Sequence, residues 1–412
     1  MALVHDYLTQ RGGAERVFLL LAKAFADAPI YTSLYDPEGT FPGFTATDPI
    51  CDPINRHAML RAHHRLALPL LARTFSDMRI DAAVTLCSSS GWSHGVQTSG
   101  RKVVYCLSPA HWLYQTDLYF GHPTHPNLVD RAKSRLVKST FNTLLARKLR
   151  RWDYAAARTA DRYVTSSTAV ATAIKDSYGI VAEIVPPPPA LAKDGPSRSV
   201  AGVKPGFLLC VSRLKPYKNV RAIIESMPDC PGIELVVVGE GSEFKSLKKL
   251  PFDRVRLLGK VEDDELRWLY ANAAGLVAAS YEDFGLTPLE AGTFGKPVAV
   301  LRAGGFLDTV IEGRTGLFFD QPRPEQIAVT IRQLFARDWD KEMIAEHAAT
   351  YSESGFISRI REIVAEEQVT LSGSPQAADA PMHKEFDFQP SKTVEHTNGH
   401  RNKELSPELG GS

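Results

Sequence analysis

The chain has 412 residues, enough for two domains of ordinary size, with 44% hydrophobic and 23% charged residues. Its net charge of +1 excludes a general polyanion binder, and no nucleic acid is expected as a partner. Cys51, Cys87, Cys106, Cys210 and Cys230 stand singly, which excludes a cystine framework and fits a reducing, cytoplasmic setting.

No run reaches about 18 consecutive apolar residues, so no membrane-crossing helix is expected, and the start shows no secretory leader. In the first half ALVHDYL, PIYTSLY, DAAVTLC, KVVYCLS and ADRYVTSS read as strands, with the helical pattern AERVFLLLAKAFA after the first. Strands separated by helix-length stretches predict βαβ units and a parallel sheet. His5 and Asp6 end the first strand and are expected to face a cleft. Gly12 and Gly13 lie between that strand and its helix, where a bare backbone lets a phosphate approach a helix N-terminus. This is not a full GxGxxG.

From Arg131 to Arg151 eight cations occur with no acid, interleaved with Leu136, Val137, Phe141, Leu144, Leu145 and Leu149. The pattern predicts a basic amphipathic helix for an anionic membrane surface over residues 131–151, with a solvated helix face or phosphate binding to nucleic acid as the alternatives. The Pro- and Gly-rich stretch 185–206 reads as a linker.

The second half repeats the grammar. FLLCVSRL, IELVVVGEG, VRLLGKV, GLVAAS, PVAVL and GLFFD are strands, and NVRAIIESM, DELRWLYANA, TPLEAGTFG and EQIAVTIRQLF are helices. The fold class is therefore α/β with two Rossmann-like doubly wound domains facing a cleft, at residues 1–184 and 207–350. Ligands of such sheets sit at the carboxyl ends of the strands. In VSRLKPYKN, Arg213 and Lys218 follow a strand and precede a helix, placed to reach a diphosphate. Cations there oppose a helix dipole, which argues against two idle surface charges. In YEDFGLTPLEAGTFGKP, Glu282 falls in the loop after a strand and Glu290 in the first turn of a helix opened by Thr287 and Pro288. The amides of Phe284, Gly285 and Leu286 point out near that helix start, and the two carboxylates suit the hydroxyls of a sugar. The plainer alternative is a dipole-complementing Glu290 and a solvated Glu282. Glu262, Asp263, Asp264 and Glu265 read as a capped first helical turn in preference to a metal site. After about Val369 the composition turns polar, and 370–412 reads as a disordered tail.

Together ALVHDYLTQRGGAERV, SRLKPYKN, VVVGEGSE, LLGKVEDDELRWLYANA and EDFGLTPLEAGTFGKPVAVLRAGGFLDTVIEGRTGLFF resemble family-4 retaining glycosyltransferases of the GT-B fold, nearest to bacterial polysaccharide and O-antigen mannosyl- or rhamnosyltransferases. The resemblance spans about residues 1–366. It implies that YSESGFISRIREIV belongs to a crossover helix, 351–369, returning to the first domain. It implies that Glu290 binds the nucleotide ribose, Glu282 contacts the transferred sugar, and Arg213 and Lys218 hold the diphosphate. Phe284, Gly285 and Leu286 would assist, Gly13 would lie near the phosphates, and Val261 would meet the base. No cofactor and no catalytic metal are implied. The donor would be a nucleotide diphosphate sugar, GDP-mannose first, and the acceptor a lipid-linked or growing glycan at the inner face of the cell membrane.

Two departures stand out. Leu107 replaces the family's histidine, and His111 occupies its arginine position and is a candidate to substitute. The match begins at Ala2, so strand one reads as clipped and an upstream start is expected. The alternatives are a sugar-nucleotide epimerase or phosphorylase of the same fold, and a nucleotide-sugar-binding subunit without turnover.

Overall fold

The structure, a computed structural model, describes residues 1–64, 67–114 and 144–373. Residues 131–143 of the basic stretch and 374–412 of the tail lie outside them.

Among the described residues the first sheet is parallel and runs β3-β2-β1-β5-β7-β8-β9. Its strands are β1 (Ala2–His5), β2 (Ile30–Thr32), β3 (Ile50–Cys51), β5 (Val84–Ser89), β7 (Arg101–Cys106), β8 (Arg162–Thr165) and β9 (Glu183–Ile184). A separate short ribbon pairs β4 (Arg79–Ile80) with β6 (Gln97–Thr98). The helices here are α1 (Gly13–Ala24), α2 (Ala58–Ala62), α3 (Leu68–Asp77), α4 (His111–Tyr114), α5 (Leu144–Ala157) and α6 (Thr168–Tyr178). Every residue of β1 and β5 is buried, as expected of strands covered on both faces. Leu71, Phe75, Trp92, Leu149, Ile174 and Tyr178 pack one face. Phe18, Leu21, Phe356, Ile360 and Ile363 pack the other.

The second sheet is also parallel, in the order β12-β11-β10-β13-β14-β15. It contains β10 (Leu208–Val211), β11 (Leu235–Val238), β12 (Val255–Gly259), β13 (Gly275–Ala278), β14 (Val298–Leu301) and β15 (Gly316–Phe319). Its helices are α7 (Val220–Glu225), α8 (Phe244–Leu247), α9 (Asp263–Asn272), α10 (Leu286–Thr293), α11 (Phe306–Thr309), α12 (Pro324–Phe335) and α13 (Lys341–Ala349). The last helix, α14 (Glu353–Gly373), carries Phe356, Ile360, Ile363 and Val364 into the core of the first sheet. It runs past the expected end, so residues 370–373 are helical and not part of a tail.

The stretch 185–206 is not a loose tether. Leu191 and Val203 are buried against the second sheet, and Arg267 Nε donates to Ala192 O at 3.1 Å. Its prolines stiffen the chain, while Leu191 and Val203 have a core to enter. All five cysteines are unpaired. Among the described residues no helix is long and apolar enough to cross a membrane.

Candidate active site

The loops at the carboxyl ends of β10 and β13 bring Arg213, Lys218 and Glu282 together. After β10, Pro216–Lys218 forms a single 3-10 turn, and Asn219 follows in the left-handed region at φ 53°. Asn219 Nδ2 donates to Ala279 O at 2.8 Å, tying this turn to the end of β13. Lys218 is thereby buried, and its Nζ pairs with Glu282 Oε1, which also accepts from Ser280 Oγ. A buried ammonium needs a carboxylate, and Glu282 supplies it. Arg213 stays exposed, its Nη2 donating to Tyr217 Oη at 3.0 Å.

The Glu282 loop is gripped from behind by Gly304 and Gly305. Gly305 N donates to Glu282 O at 2.8 Å. A Cβ on Gly304, at φ +61°, would lie 2.3 Å from Glu282 O, and one on Gly305 2.3 Å from Phe284 O. Only glycines allow so close a backbone approach.

Gly285, at φ 85°, is the residue before α10, so the helix starts at Leu286 and Thr287 is not its cap. Glu290 is consequently not in the first turn but one turn further in, and it is buried. Tyr270 Oη donates to Glu290 Oε2 at 2.6 Å. Burial raises the Glu290 carboxyl above its ordinary value, against the pull of Tyr270 and of Arg16 on α1. Arg16 Nη1 itself donates to Ala190 O at 2.7 Å. Phe284 is buried, Val261 is half-buried against the core of the second sheet, and Leu286 reaches toward the first.

On the opposite side, a Cβ at Gly13 would have only Leu286 Cδ1 near it, at 4.0 Å. Among the described residues no other atom therefore crowds a side chain at position 13. Gly12 has an internal reason: Glu15 Oε2 lies 2.6 Å from where its Cβ would be. Glu15 is buried, accepts from Gln10 Nε2 at 3.0 Å, and is pushed up to about 7 by burial.

His111 does reach the second sheet's loops, by a hydrogen bond from its Nε2 to Asp283 Oδ2 at 2.8 Å. Ser167 Oγ donates to Asp283 O, and Thr168 N to Asp308 Oδ2 at 2.9 Å, on the same seam. His5 and Asp6 turn inward and do not face the cleft. His5 stacks on Phe18 and is driven down to about 3 by burial. Asp6 accepts the amides of Ser90 and Ser93, both at 2.7 Å. Leu107 packs against the core cluster around Tyr105.

Ser89, His94 and Asp153 line up in the first core, with Ser89 Oγ 2.9 Å from His94 Nδ1 and His94 Nε2 3.1 Å from Asp153 Oδ1. Ser89 is fully buried and its Oγ accepts from Gly91 N, so the trio is a packed polar network and no hydrolytic triad. The acidic run 262–265 forms a capping box on α9, and among the described residues no group of three His, Cys, Asp or Glu is placed to hold a metal.

Sequence reasoning missed Tyr217, Tyr270, Asp283, Glu15 and the Gly304–Gly305 grip. A glycine doublet after a strand was the available signal for the grip; the tyrosines look like ordinary aromatics until packing places them.

Two parallel, doubly wound α/β halves with a returning C-terminal helix constitute the GT-B fold. Residues 196–351 match the family profile of glycosyl transferases group 1. The chain is 33% identical over 198 residues to D-inositol 3-phosphate glycosyltransferase of Corynebacterium urealyticum, covering 43% of this chain and 45% of that one. It is 30% identical over 146 residues to glycogen synthase of Thermus thermophilus, covering 34% and 33%. The chain thus matches less than half the length of these curated relatives. Among solved structures it is similar to Anabaena Alr3699/HepE in complex with UDP (TM-score 0.60, 18% identity, covering 90% of this chain and 100% of that one). It is also similar to the apo lipopolysaccharide outer core galactosyltransferase WaaB (TM-score 0.58, 14% identity, covering 89% and 99%).

Proposed function

We propose that this protein is a retaining glycosyltransferase that moves a hexose from a nucleotide diphosphate sugar to a lipid-linked or growing glycan. The observation that carries the reading is the convergence of Arg213, Lys218 and Glu282 at the carboxyl ends of β10 and β13, with Gly13 opposite Leu286. Two cations and one carboxylate on neighbouring strand-end loops suit a diphosphate joined to a polyhydroxyl group. Glu290 would take the ribose. The glycosyltransferase profile over 196–351 supports the same class.

In this reading the anomeric C–O bond breaks with its electron pair going to the diphosphate oxygen. That oxygen takes the proton of the acceptor hydroxyl, and the acceptor oxygen bonds the anomeric carbon on the same face. Arg213 and Lys218 stabilise the charge growing on the leaving diphosphate. Lys218 must loosen its hold on Glu282 as phosphate arrives, which frees Glu282 Oε1 for a sugar hydroxyl. GDP-mannose is the first donor to try. UDP-glucose is the second, since Anabaena HepE was solved with it.

Thermal stabilisation across a panel of nucleotide sugars tests the reading. A true donor at about 100 times its dissociation constant stabilises by roughly 2.7 kcal/mol. Transfer assays with the best donor and lipid-linked glycans then follow; no stabilisation by any nucleotide sugar would overturn the reading. Leu107, apolar where relatives of the resembled family carry histidine, favours one second reading: a subunit that binds donor without turning it over. Donor binding with neither hydrolysis nor transfer would support it.

A further inference from the structure

We infer that Tyr217 is a positioning residue that holds Arg213 in place for an incoming diphosphate while leaving its charge unspent; this rests on the donor site proposed above. The two cations of the site are kept in different electrostatic states. Lys218 is buried and paired with Glu282. Arg213 is exposed, and among the described residues no carboxylate lies within ion-pair distance of it; its guanidinium donates to the Tyr217 hydroxyl at 3.0 Å. A phenol oxygen accepts a hydrogen bond without neutralising the donor, so the full positive charge remains available. It also restrains a long side chain whose rotamer freedom would otherwise be lost only on binding.

Tyr217 is itself well anchored. Pro216 fixes the backbone just before it, Lys218 N donates to Lys215 O at 2.9 Å, and Asn219 Nδ2 reaches Tyr217 O at 3.4 Å. Its ring also lies 5.0 Å from Lys218 Nζ. One side chain therefore touches both cations, the first through its hydroxyl and the second through its π face. Arg213 acts as the first attractor of the diphosphate, and Lys218 is released from Glu282 afterwards.

Calorimetric titration of the full chain with UDP and GDP, and with uridine and guanosine as phosphate-free controls, tests this. The variants are Tyr217→Phe, Arg213→Ala and the pair combined. Tyr217→Phe should weaken the diphosphate that binds wild type by about threefold to tenfold and leave its nucleoside unchanged, the size expected for one lost hydrogen bond. In the Arg213→Ala background the same change should cost less than about twofold, because Tyr217 acts through Arg213. Unchanged affinity of Tyr217→Phe, or losses that multiply in the combined variant, would overturn the proposal. If that happens while Arg213→Ala still weakens the diphosphate, the donor site stands and only the role of Tyr217 falls. If neither diphosphate binds wild type, the donor reading itself fails and takes this one with it.

Discussion

Tyr270 on α9 donates its fully buried hydroxyl to Oε2 of Glu290 on α10, at 2.6 Å. The Tyr270 ring stacks on Phe294 with centroids 5.7 Å apart, so the hydroxyl is aimed by packing on both sides of the bond. The carboxylate is thus held from inside the fold, by the Tyr270 hydroxyl and by the Ala190 backbone. That arrangement turns Glu290 from a flexible acid into a fixed acceptor.

Tyr270→Phe is therefore expected to cost about 1–3 kcal/mol of stability, since it leaves a buried carboxylate oxygen without its donor. It should also weaken nucleotide binding. Glu290→Leu, which removes the acceptor, should remove most of the dependence on Tyr270. A urea-unfolding cycle over the two single variants and the double variant measures the coupling. A coupling energy near zero would mean that the hydrogen bond contributes nothing.

Glu15 gives a pH prediction. Its carboxyl is raised from an ordinary 4.5 to about 7, by burial before anything else, with Gln10 and the Arg213 charge pulling the other way. A group raised on folding contributes stability that is complete below about pH 4.5 and is lost as pH rises through about 7. Glu15→Gln abolishes the titration. Wild type should lose stability relative to the variant by about 1.4 kcal/mol per pH unit in that window. Denaturant midpoints of both proteins at pH 5 and pH 8 check this; parallel pH profiles would place the carboxyl outside the buried environment described.

Much of the architecture was legible because parallel strands covered on both faces must be written as apolar runs, as LVVV at Leu235–Val238 shows. The clustering of Arg213, Lys218 and Glu282 was also legible, since all three follow strand ends. What failed was local geometry. Thr287-Pro288 looks like a helix start, but Gly285 in a left-handed conformation began the helix earlier and moved Glu290 inward. Polarity at a strand end also misled: His5 and Asp6 hydrogen-bond neighbouring strands and loops in place of a ligand. Contacts between residues far apart in sequence, such as Tyr270 with Glu290, leave no periodic trace.

The His111–Asp283 hydrogen bond yields a test of roles. If His111 acts by holding the Asp283 loop, His111→Ala and Asp283→Ala should lower turnover to a similar extent, and the double variant should lose no more. A histidine acting on the donor itself would give a far larger loss in His111→Ala than in Asp283→Ala. The geometry, with His111 Nε2 already committed to Asp283 Oδ2 at 2.8 Å, favours the first outcome. Steady-state rates with saturating donor decide between them.

The described end of the basic stretch makes the membrane proposal sharper. On α5, Arg147, Lys148 and Arg151 are exposed, while Leu149 is buried in the core beneath them. Arg150 is different: its Nε and Nη2 both donate to Leu113 O, at 3.0 and 2.6 Å, and so support α4 and His111. Arg147, Lys148 and Arg151, exposed and without an ion pair among the described residues, are the ones an anionic surface would meet. Replacing Arg147, Lys148 and Arg151 together by glutamine should leave the fold intact and cost about 1 kcal/mol each in binding to anionic vesicles, about a hundredfold in partitioning altogether. Raised salt should weaken wild type toward the same level, because charges at such a surface are screened within about 10 Å at 0.1 M. Arg150→Gln should instead lower stability or turnover with little effect on vesicle binding. Sedimentation with vesicles of rising anionic lipid content checks all of these, and equal pelleting of wild type and the triple variant would show that this face of α5 does not meet the membrane.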